Sequence, residues 1–227
     1  MKKQSGFTLI ELAIVLVIIG LLLGGVLKGQ ELITNAKVKS MANELKAMQI
    51  MVYGYQDKFR ALPGDDIAVA THMVGATLAT TGGTTGNAQI EGAWNSNTAT
   101  DETYLFWEHV RLSGLGNGSP LHATAADIAA YLPRNSDGGQ MGISSMIFFK
   151  GATGFGITDA NFEGTFAACT TGVTGKLAKQ IDVTIDDGNT ATGSVRAGAG
   201  TPVAAGAASI ATAAIAESTL YTVCLAF

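Results

Sequence analysis

The chain is poor in charge. Only 14% of its 227 residues are Asp, Glu, Lys or Arg, and the net charge is −4. Lys and Arg form no basic cluster beyond the first sixty residues, which argues against nucleic acid as the main partner. Proline is scarce too: there are four, none before Pro63, so no pyrrolidine ring interrupts a helix in the first quarter of the chain. The three histidines, His72, His109 and His122, are scattered and make no H-x-x-x-H or H-E-x-x-H spacing. No G-x-S-x-G, Walker A or dinucleotide fingerprint occurs, and Cys169 has no nucleophile context. Without a convergent set of reactive groups, the sequence reads as that of a non-enzyme.

What is present is a long apolar run. Residues 5–27, SGFTLIELAIVLVIIGLLLGGVL, carry one acidic side chain, Glu11, and no other charge. From Phe7 to Leu27 the run is long enough to span a bilayer as a helix. A carboxylate at that depth costs about 2.5–3.5 kcal/mol on insertion scales, so it needs a partner or a purpose. Met1 to Gly6 is a short hydrophilic leader containing Lys2 and Lys3. A secretory signal would have a shorter apolar core ending at an A-x-A-like site. Here Leu27 leads straight into Lys28-Gly29-Gln30-Glu31, and the segment reads as retained.

Residues Gly6-Phe7-Thr8-Leu9-Ile10-Glu11 closely resemble the processing site of type IV prepilins and type II secretion pseudopilins. The resemblance implies cleavage between Gly6 and Phe7 by a prepilin peptidase, and methylation of the new amine on Phe7. Glu11 would then lie four residues beyond a positively charged terminus. Pairing with the amine of its own helix or of a neighbouring subunit would neutralise it and fix the register of a filament. Lys2 and Lys3 favour a cytoplasmic N-terminus, while Lys28, Lys37 and Lys39 weigh on the other side. The resemblance settles the orientation as N-terminus inside, with the remainder periplasmic or, after assembly, on the cell surface. In such an oxidising compartment Cys169 and Cys224, the only cysteines, would close a loop of about 56 residues, worth roughly 4 kcal/mol in the chain-entropy model. Two reduced core cysteines are the alternative.

Past Glu31 the positions Val38, Met41, Leu45, Met48, Val52, Tyr55 and Phe59 alternate in spacings of three and four, one apolar stripe on a helix. The spacing predicts a helix from Phe7 to Arg60, roughly 80 Å long at 1.5 Å per residue. Its first half would sit in lipid or a filament core, and its second would dock on a sheet. Gly20, Gly24 and Gly25 mark either a place for local unwinding or close helix packing. The helix-breaking proline of many type IV pilins is missing here.

Ala61-Leu62-Pro63-Gly64-Asp65-Asp66 is a turn signal, and an LPGD turn at this place also recurs in a subset of prepilin-like proteins. Further expectations are a short helix over Ile67–Val74, an exposed loop over Gly75–Thr103, and a helix over Asp101–Ser113 with Asp101 as N-cap and Trp107 in the core. A strand is expected over Gly142–Lys150, paired across Gly151–Gly154 with Phe155–Ile157. A helix over Thr174–Asp187 ends at Gly188, Ala191–Ala216 is loose or a short hairpin, and Thr219–Phe227 is a final strand. Oxygen ligands beside a Gly turn can hold Ca²⁺, so Asp182, Asp186, Asp187 and Asn189 form a candidate site. The spacing misses the EF-hand pattern, and an ordinary helix-ending turn is the stronger reading.

The fold class expected is α+β, a long N-terminal helix on a C-terminal antiparallel sheet. Its divisions are a leader (1–6), a membrane or filament-core segment (7–27), an amphipathic segment (28–60) and a globular region (61–227). Three functions follow. The first is a type IV pilus subunit for adhesion, motility or DNA uptake, working with related pilin subunits, prepilin peptidase and an inner-membrane assembly platform. The second is a pseudopilin of a type II secretion machine. The third, a membrane-anchored periplasmic enzyme or binding protein, requires a polar site that the sequence does not offer.

Overall fold

A computed structural model describes residues 8–120, 131–150, 156–157, 159 and 161–227. The chain forms two compact units, Met1–Lys37 and Val38–Phe227. One helix, α1 (Leu9–Phe59), contributes to both. In the first unit its large apolar side chains, from Leu9 to Leu27, are all exposed.

In the second unit the predicted stripe of α1 is buried: Val38, Met41, Leu45, Met48, Val52 and Tyr55. Most of it shares a cluster with Tyr104, Leu105, Phe106, Trp107 and Val110 of α3 (Glu102–Leu112) and with one face of the sheet. The helix ends where Arg60 turns to φ 58°, its N–H bonded to the Gln56 carbonyl, in the left-handed conformation usual for a residue just past a helix C-terminus. Lys58 Nζ donates to the Ser113 carbonyl at 2.9 Å, joining the C-terminal ends of α1 and α3. Helix α2 (Val69–His72) is one turn, shorter than expected. Between it and α3 the chain is a loop, touched by an isolated bridge between Thr81 and Asp101.

The sheet contains β1 (Met141–Ser145), β2 (Phe166–Thr174), β3 (Val195–Ala199) and β4 (Leu220–Ala226), in the order β1-β2-β4-β3 and antiparallel throughout. Period-two alternation divides it cleanly. Phe166 and Ala168 of β2, with Tyr221, Val223 and Leu225 of β4, face α1 and α3. Ala167, Cys169, Cys224 and Ala226 face a second cluster built on Trp94, Phe149 and Phe162. Cys169 and Cys224 stand directly opposite each other in the ladder and are joined in a disulfide, with a Cα–Cα distance of 4.1 Å and a sequence separation of 55. Gly142 lies where the strand meets Trp94: a Cβ there would fall 1.8 Å from the Trp94 carbonyl oxygen.

Three expectations are corrected. The strand expected over Gly142–Lys150 ends at Ser145, and α4 (Met146–Lys150) follows. Met146 and Phe149 are buried and Ile147 is 65% exposed, a three-residue helical spacing rather than an alternation. A short apolar run does not declare its own period. The partner of β1 is β2, not Phe155–Ile157; residues 151–155 lie outside the described residues, and Ile157 makes a single parallel bridge to Ala207. Asp101 stands at the N-cap of α3, but its carboxylate accepts from Thr81 Oγ1 at 2.6 Å and Ser96 Oγ at 2.5 Å instead of capping. Helix α5 (Gly175–Ile185) begins after Thr174 as expected, and the chain turns at Gly188 with φ 86°. The Ala191–Ala216 region supplies β3 and a single 3-10 turn, Thr212–Ala214.

Candidate functional site

The N-terminal segment opens on a reciprocal pair. Thr8 donates to Glu11 Oε2 through both its backbone N–H and its Oγ1, each at 2.8 Å, and Glu11 N–H returns a bond to Thr8 Oγ1 at 3.3 Å. This is a capping box, in which the first residue and the one three positions on satisfy each other's otherwise orphaned donors. The T-x-x-E spacing was available in the sequence as a helix-start signal. Glu11 is thereby placed in the first turn, where the partial positive charge of the helix end favours a carboxylate. Gly6 and Phe7, the expected cleavage and methylation positions, lie outside the described residues. The helix that follows is long and apolar enough to cross a membrane, and its apolar stretch is unburied. Lys28 and Glu31 pair at 2.7 Å on its exposed surface.

A second constellation surrounds the LPGDD turn, and sequence reasoning gave it no role beyond the turn. Gly64 has φ 92°, and a Cβ on it would lie 2.3 Å from the Glu102 carbonyl oxygen, so the turn sits hard against the start of α3. Asp65 is buried and accepts backbone N–H groups from Gly86, Asn87 and Ala88. Burial pushes its carboxyl up, opposed by those amides. Glu91 accepts from the Thr84 N–H, and Glu108 from both the N–H and the Oγ1 of Thr77 at 3.1 Å. Glu102 is fully buried, with Oε2 taking the Glu91 N–H at 2.7 Å. Burial, then the nearby charges of Asp65 and Glu91, push its carboxyl up to about 7.

His109 receives the Gly64 N–H on Nδ1 and donates from Nε2 to the Thr77 carbonyl, both at 2.9 Å. That pattern requires the neutral ring, and burial lowers its pKa accordingly. These acids and His109 organise a long loop by capturing its backbone amides and carbonyls. His72 holds Asp66 at 2.6 Å beside a cleft of about 300 Å³, whose other walls are Phe59, Arg60, Ala61, Asp65, Ile67, Ala68, Gly86 and Ala88. That lining offers an Asp–His pair no hydroxyl, thiol or amine nucleophile to activate. His122 lies outside the described residues.

The structure brings together three of the four expected metal ligands. Asp182, Asp186 and Asp187 place carboxylate oxygens within 4.8 Å of one another, a span that two opposite Ca–O bonds would cover. Asp182 is fully buried; burial, then Asp187 and Asp186, push its carboxyl up to about 6, opposed by the Gly188 N–H. Asp186 is committed to the N–H groups of Ser194 and Val195, and Asp187 to Thr192 Oγ1 at 2.5 Å and the Asn189 N–H at 2.8 Å. Asn189 accepts the Ala191 N–H on its side-chain oxygen at 3.3 Å.

Residues 1–27 match the family described as the prokaryotic N-terminal methylation motif, the signature of type IV pilins and pseudopilins. That signature points to a structural subunit rather than an enzyme. It implies processing by prepilin peptidase and assembly with related pilins, and it agrees with membrane anchoring through the apolar helix. No curated protein and no solved structure matches the chain.

Proposed function

We propose that the chain is a type IV pilus subunit. Prepilin peptidase cuts between Gly6 and Phe7 on the cytoplasmic side of the inner membrane, and the Phe7 amine is methylated. The subunit then waits as a single-pass protein with its globular unit in the periplasm. An assembly platform in the inner membrane draws it into a filament, where Glu11 meets the amine of a neighbour. The observation that carries this reading is the methylation motif over residues 1–27, which covers a helical stretch whose large apolar side chains, from Leu9 to Leu27, are all exposed. Apolar surface on that scale needs lipid or other copies of itself.

The test is the mass of the N-terminal peptide in the membrane fraction and in material sheared from the cell surface. A methylated Phe7 terminus in the sheared material supports a pilus subunit. The same terminus confined to the membrane makes the chain a pseudopilin, and an intact leader in both fractions overturns the processing. In this reading the Asp182 cluster is the end of α5 and its turn. Millimolar calcium that raises the Tm of the wild type but not of Asp182→Asn would make it a metal site instead.

A further inference from the structure

One row of residues crosses the whole sheet: Gly142, Cys169, Cys224 and Arg196 stand opposite one another in β1, β2, β4 and β3. Directly opposed residues share a face, so Arg196 lies on the side of the disulfide, on the edge strand. It is 1% exposed, yet Nε and Nη1 have no hydrogen-bond partner among the described residues. Nη2 donates to the Asn161 carbonyl at 3.2 Å, and Nε stands 3.8 Å from Asp159 Oδ2. The guanidinium carbon lies 5.3 Å from the centre of the Phe162 ring. We propose that the stretch carrying Asp159, Asn161 and Phe162 is a cover over the Cys169–Cys224 disulfide. It opens while the rest of the sheet stays folded, and the buried charge of Arg196 sets how readily it does so.

Three features carry it. Cys169 and Cys224 are fully buried in the cluster that also holds Ile157 and Phe162, so no thiol reaches the sulfurs until something moves. The covering stretch is tied to the loop after β3, outside the ladder. Asp159 takes the Ser209 N–H at 3.1 Å, the Gly156 carbonyl takes the Gly206 N–H at 3.1 Å, and Ile157 bridges Ala207. A guanidinium held out of water with unmatched donors costs free energy, and opening returns it by letting the group hydrate. With the cover open, a dithiol reductant supplies both electrons. Its thiolate attacks one cysteine sulfur and displaces the other; its second thiol then closes its own ring disulfide and frees the first cysteine. Both cysteines end as thiols carrying the two protons of the reductant.

The experiment follows reduction of the disulfide by dithiothreitol in the detergent-solubilised full chain, trapping free thiols with iodoacetamide and reading the masses. Wild type, Asp159→Asn and Arg196→Met are compared from no urea to just below the unfolding transition. Local opening gives a wild-type rate nearly flat in urea, whereas reduction through global unfolding climbs with the slope of the equilibrium transition. D159N keeps an oxygen for the Ser209 N–H but removes the counter-charge at Nε, and its rate without urea is expected to rise about tenfold. R196M fills the same space with no charge to desolvate, and its rate is expected to fall about tenfold. A core that merely loses contacts would speed up in both variants. A wild-type rate as steep in urea as unfolding itself, a D159N rate equal to wild type, or an R196M rate at or above wild type each overturn the inference. Should R196M not fold, the wild-type slope and D159N still decide.

Discussion

The Tyr55 hydroxyl donates to Asp66 Oδ2 at 2.8 Å, the same oxygen that meets His72 Nδ1. Tyr55 lies near the end of α1, Asp66 in the turn that follows and His72 in α2, so one carboxylate oxygen ties three successive pieces of chain. Tyr55 and Asp66 are both buried. Burial and the neighbouring carboxylate together raise the phenol far above its ordinary pKa. Tyr55→Phe removes the donor and keeps the ring, leaving a buried carboxylate oxygen short of a partner. The expected loss is about 1–3 kcal/mol, read from the denaturation midpoint of the detergent-solubilised chain. An unchanged midpoint would show that water replaces the phenol at no cost.

Glu102 sets a pH dependence of definite sign. Its carboxyl, pushed up to about 7 from the ordinary 4.5, holds a proton in the folded state that the unfolded state has released. Its contribution is therefore complete below pH 4.5 and is lost as pH rises through 7. Glu102→Gln keeps an oxygen for the Glu91 N–H and cannot ionise. Relative to wild type, the variant gains about 2 kcal/mol at pH 8 and nothing at pH 4. A difference independent of pH, followed by thermal unfolding at several pH values, would remove Glu102 as the titrating group.

Arg60 adopts φ 58°, a conformation that glycine enters freely. Arg60→Gly should raise stability by about 0.5–1 kcal/mol, the relief of backbone strain exceeding the entropy gained by the unfolded chain. A lower Tm for the variant would mean that the guanidinium earns its place through contacts in the cleft beside Phe59 and His72.

Replacing both cysteines by alanine should cost about 2–4 kcal/mol, since the bridge joins two interior strands in the centre of the sheet. The chain should still enter the membrane, which depends on α1 alone. Equal denaturation midpoints for the wild type, under non-reducing conditions, and the double variant would show that the ladder hydrogen bonds suffice.

The elements that could be read from sequence are those whose side chains keep time. The stripe from Val38 to Phe59 declares α1, Leu177 and Ile181 declare α5, and the run through Cys224 declares β4. Strand β2 gave no alternation to read because both its faces are buried, Phe166 and Ala168 in one cluster and Ala167 and Cys169 in the other. Met146 to Phe149 was legible as apolar but not as helical. At the candidate site, Glu11 stands out as a lone charge, whereas its bond to Thr8 is present in the sequence only as a four-residue T-x-x-E pattern. Asp65 was beyond reach: its partners Gly86 to Ala88 lie some twenty residues away in a loop without periodicity. Nothing local predicts where a carboxylate will find distant amides.

The strand order β1-β2-β4-β3 has a consequence in time. Strand β3 touches the sheet only through β4, and β4 follows it in the chain. Until β4 has been delivered, β3 has no ladder to join and Cys169 has no partner. Strands β1 and β2 can pair as soon as both are made, whereas β3 must wait for the last-made strand, long after the residues of α1. The apolar stretch of α1 is thus complete first in this chain and the sheet last, so a chain interrupted before β4 would carry its apolar helix with its sheet still open.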